Sequence, residues 1–126
     1  MMRVLMAAMT FAAAMSAGSA LAASTPLDGN WARGDGNAKV VIKPCGSDMC
    51  AVNTWIKPGH ESEKVGDKLV MTISQDSDSS YSGKAFDPQR NMTYKLSIDV
   101  SAKAMTTKGC VLGGVLCKSQ NWTRIN

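Results

Sequence analysis

The sequence predicts an all-β fold, a small eight-stranded antiparallel up-and-down β-barrel. Short runs rich in valine, isoleucine, threonine and aromatic residues alternate with turn residues, and none of these runs has a helical period. Trp31 and Trp122 stand near the two ends of this β-rich region, as expected where the first and last strands meet. Eight strands can close into a barrel. The runs lie near residues 30–33, 38–43, 51–57, 68–74, 80–86, 92–99, 103–111 and 116–125.

The N-terminal segment has the three-part pattern of a secretory signal peptide. A single arginine precedes an apolar stretch (residues 4–15), and small residues follow it. This stretch is shorter than the roughly 20 residues of a spanning helix, so we expect cleavage after Ala22 or Ala23 and no membrane span in the mature protein. The expected organisation is a signal peptide at 1–22 and a single barrel domain at 23–126, located in the periplasm or secreted.

The composition argues against several classes of function. The formal net charge is +4, and the basic residues are spread along the chain without a basic run, so a nucleic-acid-binding surface is not expected. Five of the nine methionines lie in the expected signal peptide, and the methionine content therefore does not indicate a copper site in the domain. We expect no cofactor.

Four cysteines in a short exported chain favour two disulfides. Gly113-Gly114 is typical of a two-residue hairpin turn, which would place Cys110 opposite Cys117. Cys45 and Cys50 likewise flank a four-residue loop. Turn geometry therefore favours local pairing.

Chain entropy favours a different pairing. A bridge from Cys45 to Cys117 would close a much longer loop and would stabilise by about 4 kcal/mol, against about 2 kcal/mol for each local bridge. We expect the local pairs, because the turns preset their geometry, but the sequence alone does not settle the connectivity. A zinc site is disfavoured, because neither cysteine spacing is that of a ligand pair with a matching second pair.

Turns and alternation predict which residues face the interior. If Ser101-Ala102 is a two-residue turn, Ile98 lies opposite Met105, and the glycine turn places Met105 opposite Trp122. Residues 80–86 allow two interpretations: a four-residue loop after them would send Tyr81 inward, whereas a bulged turn would send Phe86 inward. Alternation predicts further inward residues, namely Val40, Ile42, Leu69, Met71, Ile73, Met92, Tyr94 and Leu96.

An ordered set of motifs resembles a known family. The set consists of Gly29-Asn30-Trp31, Asp35-Gly36 before Val40-Val41-Ile42, Cys45-Gly46 with Cys50, Trp55, Ser82-Gly83, Phe86-Asp87-Pro88, Thr93-Tyr94, Gly109 and Trp122-Thr123-Arg124. These motifs are similar to domain of unknown function 2147, a family of exported bacterial proteins, over nearly all of the expected mature chain. The resemblance implies a lipocalin-like barrel in the periplasm, with ligand binding as the expected role and no established activity. Residues 57–66 depart from the family pattern, because the family has a longer segment there.

No catalytic or metal constellation emerges from the residues. The one histidine, His60, lies in a segment typical of an exposed loop, and no nucleophile motif accompanies it. Glu61 and Glu63 beside it are more typical of a solvated loop than of a metal site. Asp76 and Asp78 lack the glycine and the distal glutamate of a calcium loop. We therefore expect no enzyme activity and no resident metal.

The aromatic residues allow two interpretations of the barrel interior. Side chains alone can fill an eight-stranded barrel. Alternatively, one mouth opens into a ligand cavity in which tyrosine hydroxyls orient the ligand. The expected cavity residues are Trp55, Met71, Tyr81, Phe86 and Tyr94, whereas Trp31, Trp122 and Arg124 are expected to close the opposite end.

Two classes of function follow from these interpretations. The leading hypothesis is a non-catalytic periplasmic protein that binds a small apolar or amphipathic ligand inside the barrel. The alternative is an envelope protein interaction module, such as a secreted protease inhibitor, with a filled barrel core. The interior volume of the barrel discriminates between them.

Overall fold

The computed structural model describes residues 25–126, so the expected signal peptide and its cleavage sites lie outside the described range. Eight antiparallel strands form one closed barrel in chain order, and the last strand pairs with the first. The predicted all-β barrel and its eight strands are confirmed. The strands are β1 (Gly29–Arg33), β2 (Ala38–Cys45), β3 (Asp48–Ile56), β4 (Lys68–Ser77), β5 (Ser80–Asp87), β6 (Met92–Val100), β7 (Ala104–Val111) and β8 (Leu116–Arg124).

A short 3-10 turn, Leu112–Gly114, connects β7 to β8. Within residues 25–126 the structure contains no helix of the length and hydropathy needed to cross a membrane.

Strands β1 and β8 close the barrel, as predicted. Trp31 lies opposite Arg124 in their ladder, and Arg33 lies opposite Trp122. The pairing continues past the ladder, because the Asn30 amide donates to the carbonyl of Asn126 at 3.0 Å. The two ends of the described chain are therefore held together by backbone hydrogen bonds.

The β7–β8 hairpin has the predicted register, with Cys110 opposite Cys117 and Met105 opposite Trp122. Its loop differs from the prediction: residues 112–115 form a four-residue connection, in which the Val115 amide donates to the carbonyl of Leu112 at 3.4 Å. A loop of four residues centred on the glycine pair leaves the ladder register unchanged.

The β6–β7 hairpin is offset from the predicted register by two residues. The Ser101 amide donates to the carbonyl of Ala104 at 2.8 Å, and the Ser101 hydroxyl lies 3.2 Å from the same carbonyl. These contacts place the turn one residue further along the chain. Val100, and not Ile98, therefore lies opposite Met105. A shift of two residues keeps the facing of every side chain, so Ile98 still points inward and is buried.

The β5–β6 loop settles which residues of β5 face inward. The strands pair from Asp87 opposite Met92, so the loop begins one residue later than predicted. Tyr81 and Ala85 are buried, whereas Phe86 is 39% exposed. The interpretation without a bulged turn is confirmed.

The β2–β3 pair contains a bulge that the sequence analysis did not predict. Lys39 lies opposite Trp55, but Val40 lies opposite Asn53, so Thr54 is an extra residue on β3. One extra residue reverses the alternation of side chains in the strand. Trp55 therefore points out of the barrel and is 40% exposed.

All four cysteines are paired locally, Cys45 with Cys50 and Cys110 with Cys117. The preference for local bridges over a long-range pair is confirmed. Two disulfides in a chain of this size indicate an oxidising, extracytoplasmic compartment.

Candidate functional site at the barrel mouth

The two ends of the barrel differ in construction. Short turns connect β2 to β3, β4 to β5 and β6 to β7 at one end, where both ends of the described chain also lie. The other end carries the longer connections, including residues 57–67 between β3 and β4. We refer to the first as the closed end and to the second as the mouth end.

The closed end is sealed by Leu27 and Trp31, both fully buried. The Trp31 indole Nε1 donates to the carbonyl of Leu27 at 2.9 Å, and the Arg124 guanidinium stacks 4.2 Å from the centre of the Trp31 ring. Arg124 also donates to the carbonyls of Asp28 at 2.7 Å and Ala102 at 2.8 Å, and to the carbonyl of Pro26. Trp31 and Arg124 therefore lie together at the closed end.

Trp122 does not belong to this plug, which corrects the expectation that both indoles seal the same end. In the β1–β8 ladder Trp122 lies two positions nearer the mouth end than Arg124, the partner of Trp31. Its side chain lines the interior, where Nε1 donates to the Thr107 hydroxyl at 3.0 Å. Leu27, a residue that the sequence analysis did not single out, takes its place beneath Trp31.

An inner cavity of about 200 Å³ lies in the mouth half of the barrel. The interior is therefore packed at the closed end and hollow nearer the mouth end, so neither interpretation of the interior applies to the whole barrel. Its walls come from inward positions of all strands except β1, with Asp87 as the contribution of β5. The apolar wall residues are Val40, Ile42, Ala51, Leu69, Met71, Leu96, Ile98, Met105 and Trp122.

An outer cleft of about 640 Å³ adjoins the inner cavity at the mouth end. The two spaces are joined by a constriction, which we call the neck. Both charged and apolar side chains line it. The residues lining both are Glu63, Leu69, Asp87, Arg90, Leu96, Thr107 and Trp122. A molecule entering the inner cavity from the outer cleft would pass this neck.

Arg33 holds one side of the neck through a bidentate ion pair. Its Nη1 and Nη2 atoms donate to the two carboxylate oxygens of Glu63 at 2.6 Å and 2.8 Å, and its Nε donates to Asp35 at 2.9 Å. The hydrogen bond from Arg33 lowers the pKa of Glu63, although partial burial opposes this effect. The same ion pair raises the pKa of Arg33. Arg33 and Glu63 therefore both stay charged at neutral pH, and their ion pair is retained.

Asp87 organises the other side of the neck. This buried carboxylate accepts hydrogen bonds from the Gln89 amide at 3.0 Å, the Gln89 side chain at 2.7 Å and the Arg90 guanidinium at 2.9 Å. Burial alone would raise the pKa of Asp87, but the hydrogen bonds from Arg90 and Gln89 outweigh it and lower the pKa. Arg90 also donates to the carbonyl of Ser62, which ties the β5–β6 loop to the β3–β4 loop.

The five predicted cavity residues lie in different places. Met71 lines the inner cavity and Tyr94 lines the outer cleft. Tyr81 is buried in the core and lines neither space. Trp55 and Phe86 lie outside the barrel, which corrects their expected positions; the β2–β3 bulge turns Trp55 outward, and alternation in β5 turns Phe86 outward.

Lys39 covers the exposed Trp55 ring, with its ammonium nitrogen 5.3 Å from the ring centre. Outside the barrel Trp55 thus takes part in a cation–π contact with the neighbouring strand.

The charged groups at the neck, namely Arg33, Glu63, Asp87 and Arg90, were not predicted from the sequence. A signal for Asp87 was present, because it continues the inward alternation of Tyr81 and Ala85 along β5. No comparable signal exists for Glu63, which lies in a loop and meets Arg33 only in the folded barrel.

His60 lies on the rim of the outer cleft, partly buried, and its amide donates to the carbonyl of Lys57 at 3.3 Å. Among residues 25–126, no three histidine, cysteine, aspartate or glutamate side chains gather in a way that could hold a metal ion.

Comparisons with known proteins support the fold. The family model "DUF2147: Uncharacterized protein conserved in bacteria" matches residues 29–124. Among solved structures, a redesigned β-barrel matches with a TM-score of 0.52 and 15% identity, covering 80% of this chain and 92% of that one. Because the identity is low, this likeness concerns the fold alone. A comparison with curated proteins finds no match.

Proposed function

Because this chain belongs to the DUF2147 family of proteins conserved in bacteria, whose members are uncharacterised, we propose its function from the barrel interior. The protein binds a small apolar or amphipathic molecule in the inner cavity and catalyses no reaction. The observation that carries this proposal is an apolar space of about 200 Å³ that adjoins the outer cleft through a polar neck.

The volume of the inner cavity limits the size of the ligand. An apolar cavity of about 150 Å³ in another protein holds benzene, with its six carbon atoms. By this comparison, a cavity of about 200 Å³ suits a ligand of roughly eight to ten non-hydrogen atoms. A long-chain fatty acid would have to leave most of its chain in the outer cleft.

The polarity of the walls favours one orientation of the ligand. The apolar part packs against Met71, Ile98 and Met105, whose side chains are buried. A polar end faces the neck, where the Thr107 side chain is uncharged and the arginines already have carboxylate partners; the uncharged Asn53 side chain also lines the inner cavity. These walls suit a neutral polar group better than a free charge.

The state of the neck carboxylates supports a binding role. A general acid or base acts best when its pKa lies near the working pH. The pKa values of Glu63 and Asp87 are instead lowered below their ordinary values by arginine partners. A periplasmic location is also proposed, since two disulfides indicate an oxidising compartment.

The alternative role, a protein interaction module with a filled core, has less support because the mouth half of the barrel is hollow. An inhibitory N-terminal arm has less support too: Leu27 is buried beneath Trp31, so residues 27–31 are part of the barrel closure.

Benzyl alcohol, which has eight non-hydrogen atoms, is a suitable probe for calorimetric titration. We expect saturable binding to the wild type and at least about tenfold weaker binding to Ala51→Leu, because Ala51 lines the inner cavity and leucine fills part of it. The matched control is Ala104→Leu, at an exposed position of β7, and its affinity should equal that of the wild type. Absence of wild-type binding, or equal binding by Ala51→Leu, would overturn the proposal.

A further inference from the structure

The β7–β8 loop exposes a cluster of aliphatic side chains to solvent. Leu112 is 76% exposed, Val115 is 85% exposed and Leu116 is 61% exposed. We call these three residues the hairpin tip. The disulfide between Cys110 and Cys117 lies at its base, so the hairpin tip is held in place by a covalent bridge.

Three lysines lie on the outer face of the barrel beside the hairpin tip. Lys84 and Lys95 are directly opposite each other on β5 and β6, and Lys108 is on β7. A groove lined by Lys84, Lys95 and Leu112 runs between this surface and the hairpin tip, and a second groove is lined by Lys95, Lys108 and Cys117. We call Lys84, Lys95 and Lys108 the lysine cluster.

The lysines of the cluster form no ion pair with another described residue. All three lysines are exposed, and the ion pairs found within residues 25–126 involve only Arg33 and Arg90 as cations. Like charges directly opposite each other on neighbouring strands are destabilising. An anionic partner would relieve this repulsion between Lys84 and Lys95.

We propose that the hairpin tip and the lysine cluster together dock the protein on an anionic lipid surface. Aliphatic side chains on a protruding loop can enter the boundary between headgroups and acyl chains, while adjacent lysines contact lipid phosphates. The hairpin tip connects β7 to β8 at the mouth end, so docking through it orients the mouth end toward the membrane.

A lipid surface accounts for both features better than an acidic protein does. The hairpin tip is a convex protrusion, so it would need a fitted pocket on a protein partner, whereas a bilayer accepts it without one. Docking is independent of ligand binding in the inner cavity, because none of the hairpin tip or lysine cluster residues lines that cavity.

Co-sedimentation with vesicles tests the proposal on the full mature chain. The vesicles contain phosphatidylglycerol and phosphatidylethanolamine, and neutral phosphatidylcholine vesicles serve as the comparison. We expect binding to the anionic vesicles that weakens as salt is raised. Lys84→Gln, Lys95→Gln and Lys108→Gln, each as a single variant, should each weaken vesicle binding about fivefold.

Leu112→Ser with Val115→Ser should weaken vesicle binding at least about tenfold, because two aliphatic side chains leave the lipid boundary. Both positions are highly exposed, so the fold should be retained, which circular dichroism can verify. The matched controls are Ile125→Ser, 50% exposed at the closed end, and Lys43→Gln, on β2. Both controls should bind like the wild type.

Two results would overturn lipid docking. The first is wild-type protein that does not co-sediment with anionic vesicles at low salt. The second is a loss of binding in the lysine variants while Leu112→Ser with Val115→Ser binds like the wild type, which would show that the hairpin tip takes no part in docking. Because no cavity ligand is present, failure here leaves the benzyl alcohol titration unaffected.

Discussion

Arg124 connects the C-terminal strand to the N-terminal turn. Its guanidinium stacks on Trp31 and donates to backbone carbonyls on both sides of the closed end, including that of Ala102. A planar group with several donors suits this position, and an ammonium group would serve fewer of these contacts. The residue therefore acts as a clamp across the seam of the barrel.

Arg124→Ala should lower the free energy of unfolding by about 2 to 4 kcal/mol, because it removes the stacking contact and leaves carbonyl groups without their donor. Urea unfolding followed by circular dichroism measures the change. Lys103→Ala, at an exposed position of the β6–β7 turn beside Arg124, should differ from the wild type by less than about 0.5 kcal/mol. If the two variants were equally stable, Arg124 would not be a clamp.

The neck ion pairs give stability a defined dependence on pH. The folded pKa values of Glu63 and Asp87 lie below their ordinary values of 4.5 and 3.8. Their stabilising contribution is therefore complete above those ordinary values and is lost as pH falls through the lower folded values.

Glu63→Gln should accordingly flatten the fall in stability between about pH 6 and pH 3, as measured by thermal unfolding at several pH values. Glu61→Gln is the control, because exposed Glu61 forms no ion pair with another described residue. A wild-type profile as flat as that of Glu63→Gln would show that the Arg33 ion pair contributes nothing.

At the level of the strands, Gly83 allows β5 to lie close to β4. A Cβ atom at this position would lie 2.1 Å from the Thr72 carbonyl oxygen, and the backbone φ of +154° is one that other residues rarely adopt. Glycine within a strand often marks a sharp bend of a barrel wall. Gly83 is thus required by the close approach of two strands.

Gly83→Ala should destabilise the barrel by more than about 3 kcal/mol or prevent folding, because backbone atoms of β4 would have to move. Gly113→Ala is the matched control: its φ is +68°, but open space surrounds the added methyl group. This control should cost about 1 kcal/mol. Urea unfolding distinguishes the two, and equal stability of the variants would contradict the close approach.

The strands and much of their pairing were predictable because hairpin turns connect them. The bulge in β3 and the displaced turn between β6 and β7 were not predictable. Glycine turns and alternation identified the pairing of Cys110 with Cys117 and the inward facing of Met71, because both depend on residues close in sequence. The bulge at Thr54 has no comparable local signal, and it reversed the facing of Trp55. The Ser101 turn was displaced by side-chain hydrogen bonding, which preserved facing but changed partners.

At the scale of the whole molecule, the sequence predicted the barrel better than its interior. The meeting of β1 and β8 followed from residues at the two ends of the domain, Trp31 and Trp122. The position of the cavity did not follow, because it depends on how Leu27 fills the closed end and how Trp122 is offset toward the mouth end. Packing of this kind involves residues far apart in sequence.

The methionine methyl groups provide the most direct test of a ligand-binding cavity. With carbon-13-labelled methionine methyls, addition of benzyl alcohol should shift the NMR signals of Met71 and Met105, which line the inner cavity. Met92 is 40% exposed outside this cavity and should not shift. Saturable shifts confined to Met71 and Met105 are the predicted result; unchanged signals for both, or an equal shift of Met92, would contradict a binding role for the interior.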